Sequence, residues 1–135
     1  MVATLISGDE TRSGVAVEER ALRCVGGLTH LGVSEGDIVA VMMRNEMVYL
    51  EAMLALRLAG AYAYPINWHF KASEAGYILR DCGARVLIAH SDLLQQIQGG
   101  IPDGTQVIAV EPPPTLRTAF KLDLSECIAP PNALD

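Results

Sequence analysis

His30, His69 and His90 are the chain's three histidines, and they stand too far apart for two of them to share a helix face as paired metal ligands do. They read as ordinary, partly exposed side chains, so the sequence assigns no metal site and no catalytic residue. Cys24, Cys82 and Cys127 are odd in number and set in apolar surroundings, which fits reduced thiols inside a cell better than a disulfide framework. Cys24 and Cys82 fall on the inner sides of predicted helices as packing residues, leaving Cys127 as the cysteine expected to be exposed. Among the carboxylates, Glu46 falls in a predicted first helical turn, where unpaired amides favour negative charge. Glu51 and Arg57 interrupt an otherwise apolar helix, and a solvated edge is the expected reading over a buried bridge. No glycine-rich loop followed by Lys and Ser/Thr is present to cradle phosphates. One stretch differs in quality. Asn67, Trp68, His69 and Phe70 gather two aromatic rings and two hydrogen-bonding side chains just past a predicted strand, the end of an open α/β sheet where ligands usually sit. These residues read equally as the lining of a substrate channel and as an interface that caps the third helix or a neighbouring domain.

The elements that must position this loop follow from hydrophobic period. Val2–Ile6 reads as a strand, with Thr11-Arg12 returning across a Gly8 turn as a hairpin arm. Ser13 is the expected cap of a helix to about Leu31, with Val17, Ala21, Val25 and Leu28 on one face. The apolar run from Ile38 to Met43 is bounded by turn signals and predicts a strand covered on both faces. Asn45 is the expected cap of a helix from Glu46 to about Ala59, in which Met47, Leu50, Leu54 and Leu58 form one stripe that Met53 and Leu56 widen over most of the circumference, so the helix is expected to be deeply packed. Ala61–Tyr64 is a short strand stopped by Pro65, which cannot donate to a ladder and belongs at an edge or end. A helix over 73–82 closes at Gly83, a strand covers 85–89, Ser91 caps a short helix to Gly99, and the last strand spans 106–110. This alternation predicts an α/β fold, an open and mainly parallel sheet with helices on both faces in three layers. Residues 1–110 form that unit, and the Pro-rich stretch 111–135 reads as an irregular tail or truncated linker, in which Phe120, Leu122 and Leu124 alternate with period two.

At 135 residues and 50% hydrophobic, the chain is long enough for one domain with a true core. A net charge of -6, with Lys71 and Lys121 the two lysines, lacks the cationic footprint that a nucleic acid partner needs. No stretch nears the ~20 apolar residues of a membrane-spanning helix, and no basic amphipathic helix argues for a membrane surface. The expected location is the cytoplasm.

Leu31-Gly32-Val33-Ser34-Glu35-Gly36-Asp37-Ile38-Val39-Ala40-Val41, then Arg57-Leu58-Ala59-Gly60-Ala61 running to Pro65-Ile66-Asn67, then Glu74, Tyr77-Ile78-Leu79, Asp81-Cys82-Gly83-Ala84 and Val86-Leu87-Ile88 stand in an order that resembles the N-terminal part of the adenylate-forming enzymes, the acyl-CoA synthetases and their AMP-binding relatives. Pro65-Ile66-Asn67-Trp68-His69-Phe70 looks most like bacterial fatty-acyl and related carboxylate CoA ligases. The resemblance implies an ATP-dependent ligase in which ATP and a carboxylate form an acyl-adenylate with loss of pyrophosphate, after which the CoA thiol displaces AMP. ATP, Mg and CoA are thus implied for a full-length enzyme, and no cofactor for this chain, because the family's Ser/Thr-Gly-rich loop, adenine motifs, ribose-binding aspartate and C-terminal lysine would all lie beyond Asp135. The chain alone is accordingly expected to be inactive, with the rest of a synthetase as its partner and self-association through a severed sheet edge as a further expectation. Lys71 stands where the family carries a capping threonine; lysine cannot accept an amide hydrogen bond, so that cap is expected to be lost or moved. The competing reading is a non-catalytic binding or assembly module of the same fold.

Overall fold

The computed structural model describes residues 3–112. Strands β1 (Thr4–Ser7) and β2 (Glu10–Ser13) form an antiparallel hairpin, its turn closed by Gly8 at a φ of 60° that a residue with a Cβ rarely adopts. Ser13 ends the hairpin and caps helix α1 (Gly14–His30), accepting a hydrogen bond from the Ala16 amide at 3.2 Å. Strand β3 (Ile38–Met42), helix α2 (Met47–Leu58), strand β4 (Tyr62–Pro65), helix α3 (Ala72–Cys82), strand β5 (Val86–His90), helix α4 (Ser91–Ile97) and strand β6 (Gln106–Val110) follow, with a 3-10 turn at Gln98–Gly100.

β3 to β6 make one parallel sheet in the order β4-β3-β5-β6. The period-two alternation of each strand divides the core. Val39, Val41, Val86, Ile88, Ile108 and Val110 face α1 and α2, while Ala40, Met42, Leu87, Ala89 and Val107 face α3 and α4. The three-layer α/β architecture expected from the helix and strand order is therefore present. Gly83 closes α3 at a φ of 65°, as its position predicted.

Several local expectations are corrected. Asn45 does not cap α2; Glu46 holds the N-cap position and makes no side-chain bond to the helix amides. The buried face of α2 is Met47, Glu51, Ala52, Ala55 and Leu56, whereas Leu50 and Leu58 are 48% and 49% exposed. Small residues let α2 approach α1, which presents Ala21 and Cys24, and that turns the leucine stripe toward the flank. Ser91 is the first residue of α4 and His90 its cap. Lys71 occupies the cap of α3, and the reciprocal half of the motif survives: the Lys71 amide donates to the Glu74 carboxylate at 2.8 Å. Phe120, Leu122, Leu124 and Cys127 lie outside the described residues.

Candidate functional site

Because β3, β4 and β5 run in parallel, the turns that follow them emerge at one end of the sheet. From β3 the chain passes into α2 on one face, and from the adjacent β5 into α4 on the other. Neighbouring strands whose helices leave to opposite faces open a crevice between their carboxyl ends, the usual ligand position in such sheets.

Here that crevice is occupied by the protein's own polar side chains. Arg44, two residues past β3, donates from Nη1 to Asp92 Oδ1 at 3.0 Å and from Nη2 to Oδ2, a bidentate pair. Its backbone amide donates to Nδ1 of His90 at 3.1 Å, and Nε2 of His90 meets the Glu46 carboxylate. An amide donor at Nδ1 leaves the ring proton on Nε2, where the carboxylate accepts it, so both ring nitrogens are satisfied in one tautomer. His90 is fully buried, against the expectation of a partly exposed side chain; His30 and His69 are exposed.

The Asn67–Phe70 loop reaches the same end from β4. Asn67 and His69 are exposed, and Trp68 and Phe70 are half-buried against the α3/α4 core. The His69 amide donates to Asn67 Oδ1 at 3.0 Å, and Gln96 of α4 donates to the Phe70 carbonyl at 2.8 Å. The Trp68 and His69 rings stack with centroids 3.7 Å apart, and the Arg44 guanidinium lies 5.1 Å from the Trp68 ring centroid. Through Trp68 the loop meets Arg44 and so the group of Arg44, Glu46, His90 and Asp92; the sequence reading passed over Arg44 and Asp92, took His90 for an ordinary, partly exposed histidine and gave Glu46 no role beyond the first turn of its helix. A signal existed: each stands within four residues of the end of an apolar strand, where a charged side chain meets the crevice instead of the core.

Arg44 is engaged by Asp92, and the Glu46 carboxylate accepts the Nε2 proton of the neutral His90 ring, so the one cation of the set is already committed and is not free to cradle a triphosphate. Among the described residues, no group of three or more His, Cys, Asp or Glu is placed to hold a metal. An open cleft of about 240 Å³ adjoins Glu46, between the hairpin and α2, lined by Ile6, Ser7, Asn45, Tyr49 and Leu50. A larger one of about 610 Å³ opens around Ile101–Val107, at the opposite end of the sheet from these turns.

A second buried charge cluster joins the hairpin to the helices. Glu51, 1% exposed, receives Arg20 Nε at 2.9 Å and a bond from Arg12; the solvated edge expected for it is corrected to a buried bridge, while Arg57 is exposed. Its charge reaches Cys24, whose thiol is pushed up to about 12, first by burial and then by the Glu51 carboxylate. The thiolate is thereby suppressed, and Cys24 is a packing residue.

No helix among the described residues is long and apolar enough to cross a membrane. A family model described as AMP-binding enzyme matches residues 2–132. The chain is 34% identical over 107 residues to a feruloyl-CoA synthase of Amycolatopsis sp., covering 74% of this chain and 22% of that one. It is 40% identical over 68 residues to the long-chain-fatty-acid–CoA ligase FadD13 of Mycobacterium tuberculosis, covering 50% and 14%. The crystal structure of the anthranilate CoA ligase AuaEII in complex with anthranoyl-AMP superimposes with a TM-score of 0.69 at 30% identity, over 76% of this chain and 20% of that one. The chain spans from 3% to 22% of the length of such curated relatives.

Proposed function

The chain belongs to the AMP-binding enzyme family, and from that premise we propose that it is the N-terminal structural segment of an ATP-dependent carboxylate–CoA ligase that works in the cytoplasm through an acyl-adenylate. The observation that carries this reading is the family match over residues 2–132, laid on a three-layer parallel sheet. The acid we propose is a fatty acid; the 40% identity to a long-chain-fatty-acid ligase supports it, and an aryl acid is the alternative to be separated by test. ATP, Mg and CoA would be held by the remainder of the synthetase, since Arg44, the cation of the crevice, is engaged by Asp92 and stabilising a developing phosphate charge needs free donors. The residues of this chain act by shape: the sheet fixes the crevice, and Asn67, Trp68, His69 and Phe70 flank the acyl entry side. The test is acid-dependent ATP–pyrophosphate exchange by the chain extended through its downstream reading frame, with palmitate, octanoate, benzoate and ferulate. Exchange with the fatty acids, and none by the 135-residue chain alone, is the expected result. Silence with every acid overturns the ligase reading, and exchange with aryl acids alone overturns the fatty-acid assignment.

The assembly-module reading draws on one observation: β4 is an outer strand of the described sheet, and Tyr62 and Tyr64 on it are exposed. Light scattering after size exclusion separates the two, since a tight heteromeric complex would select the module. For the isolated chain we propose weak self-association through this edge, and a compact monomer at all concentrations in sedimentation would reject that.

A further inference from the structure

We propose that Arg44 is the positioning residue that holds the Trp68–His69 tip of the β4–α3 loop, and that through this tip it sets which acids the site accepts; the second half rests on the ligase reading above. The loop is anchored at both ends, at Ile66 by its amide on the Val41 carbonyl and at Phe70 by Gln96. Between those anchors the tip carries one exposed ring, His69, and one half-buried ring, Trp68. Arg44 is the charged group that meets the Trp68 ring.

Arg44 is itself unusually well fixed. Asp92 grips both ends of its guanidinium, and buried His90 grips its backbone amide while bonding to Glu46 at the start of α2. The ends of three strands are therefore chained: β3 through Arg44, β5 through His90 and Asp92, and β4 through Trp68. A planar guanidinium can satisfy a bidentate carboxylate and face an aromatic ring together, which a lysine ammonium cannot do in the same geometry. Charge alone is thus insufficient, and Arg44→Lys is the discriminating substitution.

Trp68 is the single tryptophan of the chain, so its emission reports the tip without ambiguity. In the 135-residue chain, Arg44→Met, Arg44→Lys and Asp92→Asn are expected to raise acrylamide quenching of Trp68 about threefold, in keeping with the modest strength of a partly exposed cation–π contact. The exposed Arg57→Met on α2 should leave quenching unchanged. Unaltered quenching in Arg44→Lys, with native far-ultraviolet circular dichroism, overturns the positioning role even where Arg44→Met fails to fold. In the extended protein, Arg44→Lys is expected to change the palmitate-to-octanoate ratio of kcat/KM about fivefold or more, a selectivity shift that general destabilisation would not cause. An unchanged ratio with raised quenching overturns the selectivity half alone. Absence of acid-dependent exchange in the unsubstituted extended protein fails the ligase reading, and with it the selectivity half, while the quenching result still decides the positioning role.

Discussion

Glu51→Gln should loosen the joint between the hairpin and the helices by about 2 kcal/mol. The magnitude follows from how the bridge is built. Removing one member of a fully buried pair costs roughly 3 to 5 kcal/mol, because the other charge is stranded. Here the carboxylate is 1% exposed but Arg12 and Arg20 are 25% and 24% exposed, so both cations can recover water and the lower end is discounted further. The glutamine keeps the shape and one acceptor, yet turns an amide NH2 toward a guanidinium. For a domain near this size the loss corresponds to a midpoint about 10 °C lower in thermal unfolding. A double-mutant cycle with Arg12→Met in urea unfolding should give a coupling of at least about 1 kcal/mol. The same substitution removes the charge that is the second cause of the raised Cys24 thiol. Thiolate absorbance should therefore appear at lower pH in Glu51→Gln than in the parent, though still above the ordinary thiol range, because burial remains. Stability unchanged within about 0.5 kcal/mol, the ordinary range for a surface substitution, together with an unmoved thiol titration, would refute the buried bridge.

Cys24 should resist alkylation in the folded chain at pH 8 while half-buried Cys82 reacts faster. Its thiol holds a proton in the folded state that the unfolded chain releases above the ordinary value of 9.0, so its stabilising contribution is complete below pH 9 and falls by up to about 1.4 kcal/mol per unit as pH rises toward 12; urea midpoints that stay flat from pH 9 to 10.5 in the parent, matching those of Cys24→Ala, would contradict this. Gly76→Ala should destabilise by about 1 to 3 kcal/mol as an overpacked contact, since a Cβ there would stand 2.6 Å from the Gly100 carbonyl oxygen; an unchanged melting temperature would show that α3 can retreat. Trp68→Ala in the extended protein should change the chain-length preference among fatty acids, and unchanged preference and turnover would remove the loop from the acyl side.

The order of strands and helices, the hairpin, the Ser13 and Gly83 caps and the three-layer arrangement were legible in the residues, because each depends on neighbours close in the chain. Ile38–Met42 is apolar on both faces wherever it stands, and Gly83 tolerates a positive φ by its own chemistry. The Asn67–Phe70 loop was legible as a concentration of aromatics past a strand end, and it does lie at the carboxyl end of the sheet. Its partners were not. Arg44 and Asp92 are 48 residues apart and His90 and Glu46 are 44 apart, distances at which no periodicity connects them.

What the sequence determined by itself was therefore the set of elements and the layers they form, since hydrophobic period dictates which side of each element must leave water. Tertiary structure alone decided the rotation of α2, which exposes Leu50 and buries Glu51, and the pairing of four charged or titratable groups between β3 and β5. The physical reason is common to both: a helix rotates, and a charge is buried, only when a complementary surface from a distant part of the chain is already there to meet it.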